Sequence, residues 1–184
     1  MRCLLLAIAV CLRATTGQAA AVAQRDLLVV DRFGNCDNSE RIAPLISAEV
    51  VTLKPGITVV RASANISKEV DQNLLEVETF ICDIQAHDSC VQFLNWKKDT
   101  GVCAMATAKG MLWSPLFNVR PPLRCPVIAK GLYHIENGTF DMNKMQMISL
   151  PKNKYVRIKI STFAPKKIPY LCVIMGGIFR SVKV

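Results

Sequence analysis

The 184-residue sequence predicts an all-β protein, an immunoglobulin-like antiparallel β-sandwich with one short helix or apolar loop. Its dominant hydrophobic period is two, which places alternate side chains on opposite faces of a strand. Proline, glycine and asparagine separate the alternating segments at the short intervals typical of sandwiches. About 160 residues follow the N-terminal leader, which is the size of one domain with one core.

The strands follow one another as short alternating segments. In one of them Val156, Ile158 and Ile160 share a face, while the charged side chains between them fall on the other face. Turn sequences such as Pro55-Gly56 and Asn137-Gly138 lie between segments. Six strand segments are predicted in chain order: 27–33, 48–53, 57–66, 74–82, 154–161 and 170–180.

Residues 102–119 break the alternation. This segment is rich in helix-forming residues and stops before Arg120-Pro121-Pro122, because proline cannot continue a helix. Its apolar side chains are Met111, Leu112, Trp113, Leu116 and Phe117. They belong either to a helix packed against the edge of a sheet or to a hydrophobic lip over a cavity, since so much apolar surface is seldom left in water.

The first 23 residues are predicted to be a secretory signal peptide. A positive start at Met1-Arg2 precedes an apolar run of about ten residues, and small residues at 19–23 offer a cleavage site. That run is about half the length of a membrane-spanning helix. Residues 24–184 are then one secreted or lysosomal domain, with an uncleaved N-terminal anchor as the alternative.

Six cysteines lie outside the leader, and an even number in an exported chain predicts a disulfide framework. Fifteen connectivities are possible for six cysteines. They are Cys36, Cys82, Cys90, Cys103, Cys125 and Cys172. Two glycosylation sequons, at Asn65 and Asn137, agree with export, because both fall where a glycan would point away from the fold.

Charge is spread unevenly along the chain. Residues 24–100 hold 8 Lys/Arg and 12 Asp/Glu, whereas residues 101–184 hold 13 and 2. A basic half suits an anionic membrane surface, and a merely solvated face is the alternative. Nucleic acid is not expected as a partner, because no basic and aromatic recognition motif is present.

Signs of catalysis are weak. His87 and His134 are the only histidines, and neither accompanies the motif of an activated nucleophile. Glu76 and Glu78 share a strand face, which an exposed sheet surface explains better than a glycosidase pair. The protein is therefore expected to have no catalytic activity and to bind no metal or cofactor. The alternative is a hydrolase that uses His87.

Several short motifs together resemble the MD-2-related lipid-recognition (ML) superfamily. The similarity is greatest to the ganglioside GM2 activator-like branch and its arthropod chemosensory relatives. It extends over roughly residues 33–178, and its most specific element is the Cys-Pro-x4-Gly-x-Tyr pattern at residues 125–133. The residues that carry it are Phe33-Gly34-Asn35-Cys36-Asp37, Pro55-Gly56, Arg124-Cys125-Pro126, Lys130-Gly131-Leu132-Tyr133, Leu150-Pro151, the strand at Tyr155 and Leu171-Cys172-Val173-Ile174.

The resemblance implies a β-cup whose two sheets part to admit the acyl chains of a lipid or glycolipid, with no chemistry done. It also implies the disulfides Cys36–Cys172, Cys82–Cys90 and Cys103–Cys125. The expected cavity-wall residues, for which ordinary core packing is the alternative, are Val77, Phe80, Phe140, Met147, Ile158, Ile160 and Val173. The expected mouth residues are Met111, Leu112, Trp113 and Phe117.

The expected function is binding of a lipid for transfer or presentation in an extracellular or lysosomal compartment. Expected partners are the lipid, an anionic membrane surface, and a receptor or hydrolase. Methionines at 142, 145 and 147 suit an adaptable wall, because a thioether side chain repacks easily. The alternatives are a receptor-accessory or chemosensory (pheromone-response) protein acting through a protein partner, and an adhesion domain without a cavity.

Overall fold

A computed structural model of the chain describes residues 24–36, 41–54, 57–71, 73–84, 89–140, 151 and 153–183. The first half of this part contains β1 (Gln24–Asn35), β2 (Leu45–Lys54), β3 (Ile57–Ile66), β4 (Val70–Asp71), β5 (Leu74–Cys82) and β6 (Cys90–Lys98). The second half contains α1 (Val102–Ala106), β7 (Val119–Arg120), β8 (Val127–Ile128), β9 (Gly131–Gly138), β10 (Tyr155–Ala164) and β11 (Ile168–Lys183). The predicted leader lies outside the described residues.

The strands form two antiparallel sheets that face each other. The first sheet has the order β1-β11-β10-β5-β6, and the second has the order β2-β3-β9-β7. A small ribbon pairs β4 with β8. The predicted all-β sandwich with one short helix is confirmed, whereas the sequence analysis predicted no strand at β6 or β9.

The register of the first sheet assigns its two faces. Ile158 lies opposite Met175 on β11 and opposite Thr79 on β5, so all three side chains point to the same side. This is the inner face, because Met175 belongs to a core shared with Val60 of the second sheet. The buried members of that core are Leu28, Val30, Leu45, Val60, Ala62, Leu116, Val156, Val173, Met175 and Phe179.

A second core fills the end of the molecule that carries α1. Tyr170 is 1% exposed there and lies in one cluster with Tyr133 and Cys103. The backbone N–H of Ala43 donates a hydrogen bond to the carbonyl of Tyr170 at 2.9 Å. The start of β11 is therefore held firmly between the two sheets.

All three disulfides join the expected partners. Cys36–Cys172 spans 136 residues and ties the end of β1 to β11. Cys82–Cys90 links β5 to β6, and Cys103–Cys125 fastens α1 to the segment before β8. Three intramolecular disulfides indicate an oxidising compartment of the extracellular type.

Two adjacent glycines allow β11 to pass close to its neighbours. A Cβ at Gly177 would lie 2.5 Å from the carbonyl oxygen of Val29 and 2.9 Å from the Cα of Val30, both in β1. A Cβ at Gly176 would collide with the hydroxyl of Tyr155 on the outer face. Because these distances are shorter than van der Waals contact, β1 and Tyr155 reach their positions only beside glycine.

The hydroxyl of Tyr155 donates a 2.9 Å hydrogen bond to Oδ1 of Asp31 across the outer face of the first sheet. Burial, followed by this hydrogen bond, raises the pKa of Tyr155 to about 12. In the unfolded chain the pKa of a tyrosine hydroxyl is near 10. The protonated Tyr155 hydroxyl therefore contributes its full stabilisation of the fold below pH 10. That contribution is lost as the pH rises toward 12.

We expect Tyr155→Phe to remove this alkaline dependence. The variant loses about 1 kcal/mol at pH 8, because the hydrogen bond to Asp31 is gone. Its free energy of unfolding then falls less steeply than that of the wild type between pH 8 and 11. Urea unfolding at pH 8 and pH 11 gives the change in the free energy of unfolding with pH for the wild type and the variant. Equal changes in the two proteins would contradict the assignment to Tyr155.

Candidate functional site

The two sheets are close along one side and apart along the other. β2 and β3 both approach β1. Among the described strands, no comparable approach joins β5 or β6 to the second sheet. We therefore call the side of β5 and β6, where the described strands of the two sheets do not approach each other in this way, the open side.

Residues 101–118 cross the open side. They lead from β6, the edge strand of the first sheet, to β7, the edge strand of the second sheet. We call this segment the strap. It contains α1, and the Cys103–Cys125 disulfide fixes its first turn. Within the strap, the indole N–H of Trp113 donates a 3.0 Å hydrogen bond to the carbonyl of Met105.

The four expected mouth residues all lie in the strap. Leu112 and Phe117 turn inward and pack against the shared core. Met111 is 39% exposed, and Trp113, whose indole N–H donates to the Met105 carbonyl, is half-buried. Leu116 is 3% exposed, so the strap is anchored by Leu116 and exposes apolar surface at Met111.

Most of the expected wall residues lie on the inner face of the first sheet. Ile160 lies opposite Val77 on one neighbouring strand and opposite Val173 on the other. Val173 is buried, but Ile158, Ile160 and Val77 are only half-buried although they lie on interior strands. Phe140 packs against the shared core from the end of the second sheet. Met142, Met145 and Met147 lie outside the described residues.

Phe80 is a correction to the expected wall. It lies opposite Arg157 on β10, and the Arg157 guanidinium carbon is 5.5 Å from the centre of its ring. Phe80 is three residues from Val77 on the same strand, and an odd separation puts the two side chains on opposite faces. Phe80 therefore forms a cation–π contact on the outer face and lines no space between the sheets.

Strand β6 contributes inner-face residues that the sequence analysis missed. Trp96 lies directly opposite Val77 and is 40% exposed, and Leu94 lies opposite Thr79. Val91 is 74% exposed at the same edge. The available signal was the alternation of apolar and polar residues in segment 91–96, which a bulge at Phe93 breaks by one residue.

One buried polar atom belongs to the same inner face. Thr162 is 7% exposed, and its buried hydroxyl has no hydrogen-bond partner in the described part of the chain. Its register places it between Leu75 and Leu171, two residues from Ile160. A buried hydroxyl without a partner is uncommon, and it offers a donor to a polar group that enters between the sheets.

The carboxylates Glu76 and Glu78 occupy the outer face of the first sheet, as expected of a solvated surface. Glu76 forms a 2.9 Å salt bridge with Lys97, and Glu78 forms a 2.7 Å salt bridge with Lys159. Both pairs are partly exposed. Such pairs contribute little stability, and their lysines neutralise the charge that a glycosidase pair would need.

The outer face of the second sheet is polar and slightly concave. A groove of about 450 Å³ there is lined by Ser47, Ala48, Glu49, Arg61, Ala62, Ser63, His134, Ile135 and Glu136. The Ser63 hydroxyl lies 2.8 Å from Nδ1 of His134. His87, the other histidine considered for catalysis, lies outside the described residues.

The two sequon asparagines share this outer face. Asn65 and Asn137 are both exposed, and Nε of Arg61 donates a 3.2 Å hydrogen bond to Oδ1 of Asn137. The amide nitrogen that a glycan would modify is left out of this hydrogen bond. Glycans at both positions would cover the second sheet and leave the open side uncovered.

No protein-family model matches the chain, and no curated protein matches it. Among the described residues, no helix has the length and apolar character needed to cross a membrane.

Proposed function

We propose that the protein is a non-catalytic lipid-binding protein of the secretory or lysosomal compartment. The lipid's acyl chains would enter through the open side and lie against the inner faces of β5, β6 and β10. The observation that supports this most is the incompletely buried apolar inner face, where Ile158, Ile160 and Val77 are half-buried and Trp96 is 40% exposed. In a closed sandwich, inner-face residues on interior strands are buried.

The energetics suit such a ligand. Each buried methylene contributes about 0.8 kcal/mol, so a dozen contribute about 10 kcal/mol before the costs of association. Met111, Leu112 and Phe117 of the strap would cover the chains at the mouth. The Thr162 hydroxyl, with no partner in the described part of the chain, would donate a hydrogen bond to a carbonyl or hydroxyl of the ligand. Membership of the ML superfamily is part of the same proposal and rests on the motifs in the sequence.

The first test is to identify the bound ligand. Protein secreted from eukaryotic cells is measured by native mass spectrometry, and its solvent extract is analysed for lipids. We expect a stoichiometric fatty acid, phospholipid or sphingolipid. Protein that is empty and also refuses these lipids when they are added would refute the proposal.

We expect Trp96→Glu to weaken lipid uptake about tenfold or more, because a carboxylate on the inner face must lose water when acyl chains cover it. The measurement is displacement of a fluorescent fatty acid. Gln92→Glu is the matched control, because it adds the same carboxylate to the exposed outer face of β6. We expect its uptake to stay within about twofold of wild type, and equal losses in both variants would contradict the placement of the site.

A second candidate function is a receptor-accessory or chemosensory role through a protein partner. The exposed edge of β6 favours it, because Val91 and Phe93 are 74% and 47% exposed there. An edge strand also offers unpaired backbone groups to a partner strand. Loss of partner binding in Phe93→Lys, a change at the exposed bulge residue, with lipid uptake unchanged, would separate this role from lipid binding.

A further inference from the structure

We propose that the turn that joins β10 to β11, together with the first two residues of β11, is a docking tip for anionic membranes. The tip consists of residues 165–169, with the sequence Pro-Lys-Lys-Ile-Pro, and we call it the basic turn. The inference extends the proposed function from the ligand site to the membrane that would supply the lipid, and it rests on that function. The two are tested by separate readouts.

The basic turn protrudes from a rigid base. All five of its residues are exposed, whereas the residues on either side, Ala164 and Tyr170, are only 3% and 1% exposed. The Cys36–Cys172 disulfide lies two residues beyond Tyr170. A tip anchored in this way meets a surface without having to be ordered first, so little conformational entropy is lost on docking.

The backbone of the basic turn disfavours the residues that occupy it. Lys166 and Lys167 have φ angles of 63° and 57°, in the left-handed region where glycine and asparagine are preferred. Two consecutive lysines at such positions are unfavourable for folding. Strain of this kind is concentrated at functional positions, which points to a role for the two ammonium groups.

Charge and apolarity at the basic turn match an anionic bilayer. Neither lysine forms a salt bridge with a carboxylate of the described residues, and the last acidic residue of the chain is Asp141. Ile168 is 49% exposed beside them. Lysines that contact headgroups beside an apolar side chain that enters the interface are typical of peripheral membrane binding.

The size and position of the basic turn favour a membrane over an acidic protein. A stable protein interface needs about 800 Å² from each partner, which is far more than five residues present. The basic turn also lies at the end of the first sheet where β6 stops and the strap begins, so docking brings the open side near the bilayer.

The test is co-sedimentation with phosphatidylserine–phosphatidylcholine vesicles, with pure phosphatidylcholine as reference. We expect the double variant Lys166→Asn/Lys167→Gly to lose roughly 30-fold in partitioning, since each lysine near such a surface contributes roughly fivefold. We expect its Tm to rise by a few degrees, because the new residues suit the left-handed backbone. Ile168→Ser should lose partitioning with no change in charge.

The matched control is Lys54→Asn/Lys154→Asn, which removes the same charge from exposed positions at the opposite end of the strands. Equal losses in turn and control variants would reduce the effect to net charge and overturn the proposal. The proposal would also be overturned if the double lysine variant lost heparin binding as much as vesicle partitioning while Ile168→Ser partitioned like the wild type. The turn would then be explained as a site for a soluble polyanion. Uptake of monomeric fatty acid should stay at the wild-type level in the turn variants, so failure of the lipid site and failure of the docking tip are distinguishable.

Discussion

Replacing Cys36 and Cys172 together by alanine is expected to lower the free energy of unfolding by about 5 kcal/mol, in the chain-entropy model for a loop of this length. The disulfide closes 136 residues, so without it the unfolded chain gains a large conformational freedom. For a domain of this size the Tm should fall by about 10–20 °C. Scanning calorimetry and urea unfolding of the variant under oxidising conditions measure the loss.

The Cys82→Ala/Cys90→Ala variant is the matched control. Its disulfide spans only eight residues, for which the same model gives about 2.5 kcal/mol. The chemical change is identical and both bridges join neighbouring strands of the first sheet, so the difference isolates loop length. Equal losses in the two variants would contradict the view that the long disulfide acts mainly on the unfolded chain.

Gly177→Ala is expected to destabilise the protein by about 3 kcal/mol, although it adds a single methyl group. The new Cβ would lie 2.5 Å from the carbonyl oxygen of Val29. Backbone atoms of two hydrogen-bonded strands cannot move away as the end of a flexible side chain can, so β1 and β11 must separate locally. Urea unfolding gives the loss, and it should be accompanied by faster hydrogen exchange along β1.

Gly34→Ala provides the comparison within the same pair of strands. No atom lies within 4 Å of the position where its Cβ would be, so the substitution is expected to be neutral or slightly stabilising. A loss of similar size in both variants would mean that chain flexibility, rather than close approach of β1 and β11, sets the cost at Gly177.

The alternation of residues was enough to predict the interior strands of the first sheet, whereas β9, an interior strand of the second sheet, was not predicted. β10 and most of β5 carry side chains that alternate between apolar and polar, because one face of each meets the core, and Thr79 and Phe80 are the exceptions in β5. β6 escaped prediction for the opposite reason. It is an edge strand with a bulge at Phe93 and apolar residues that stay exposed, so its pattern follows neither a buried nor a half-buried strand.

The candidate site was predictable in part. The strap residues were found because their apolar content is high for a segment that breaks the strand period. Phe80 was assigned to the wrong face, since hydrophobicity alone was used at a position where the parity of the strand decides. Trp96 was missed because its partner, Val77, is distant along the chain and only the sheet register brings them together.

No sequence pattern could predict the positive φ angles of Lys166 and Lys167, nor that the Thr162 hydroxyl has no partner among the described residues. A turn sequence of Pro-Lys-Lys-Ile-Pro indicates a loop but not the sign of φ, which depends on how β10 and β11 meet. Likewise, a threonine in an alternating strand gives no indication of whether its hydroxyl finds an acceptor.

The pairing of β1 with β11 decides how the protein can be held in an experiment. Gln24 lies opposite Lys183, so both ends of the described chain leave from the same point. β11 then runs sixteen residues to the basic turn, about 50 Å at the usual rise of a strand. A tether at either terminus therefore orients the molecule on a sensor or a force probe with its basic turn facing the applied vesicles.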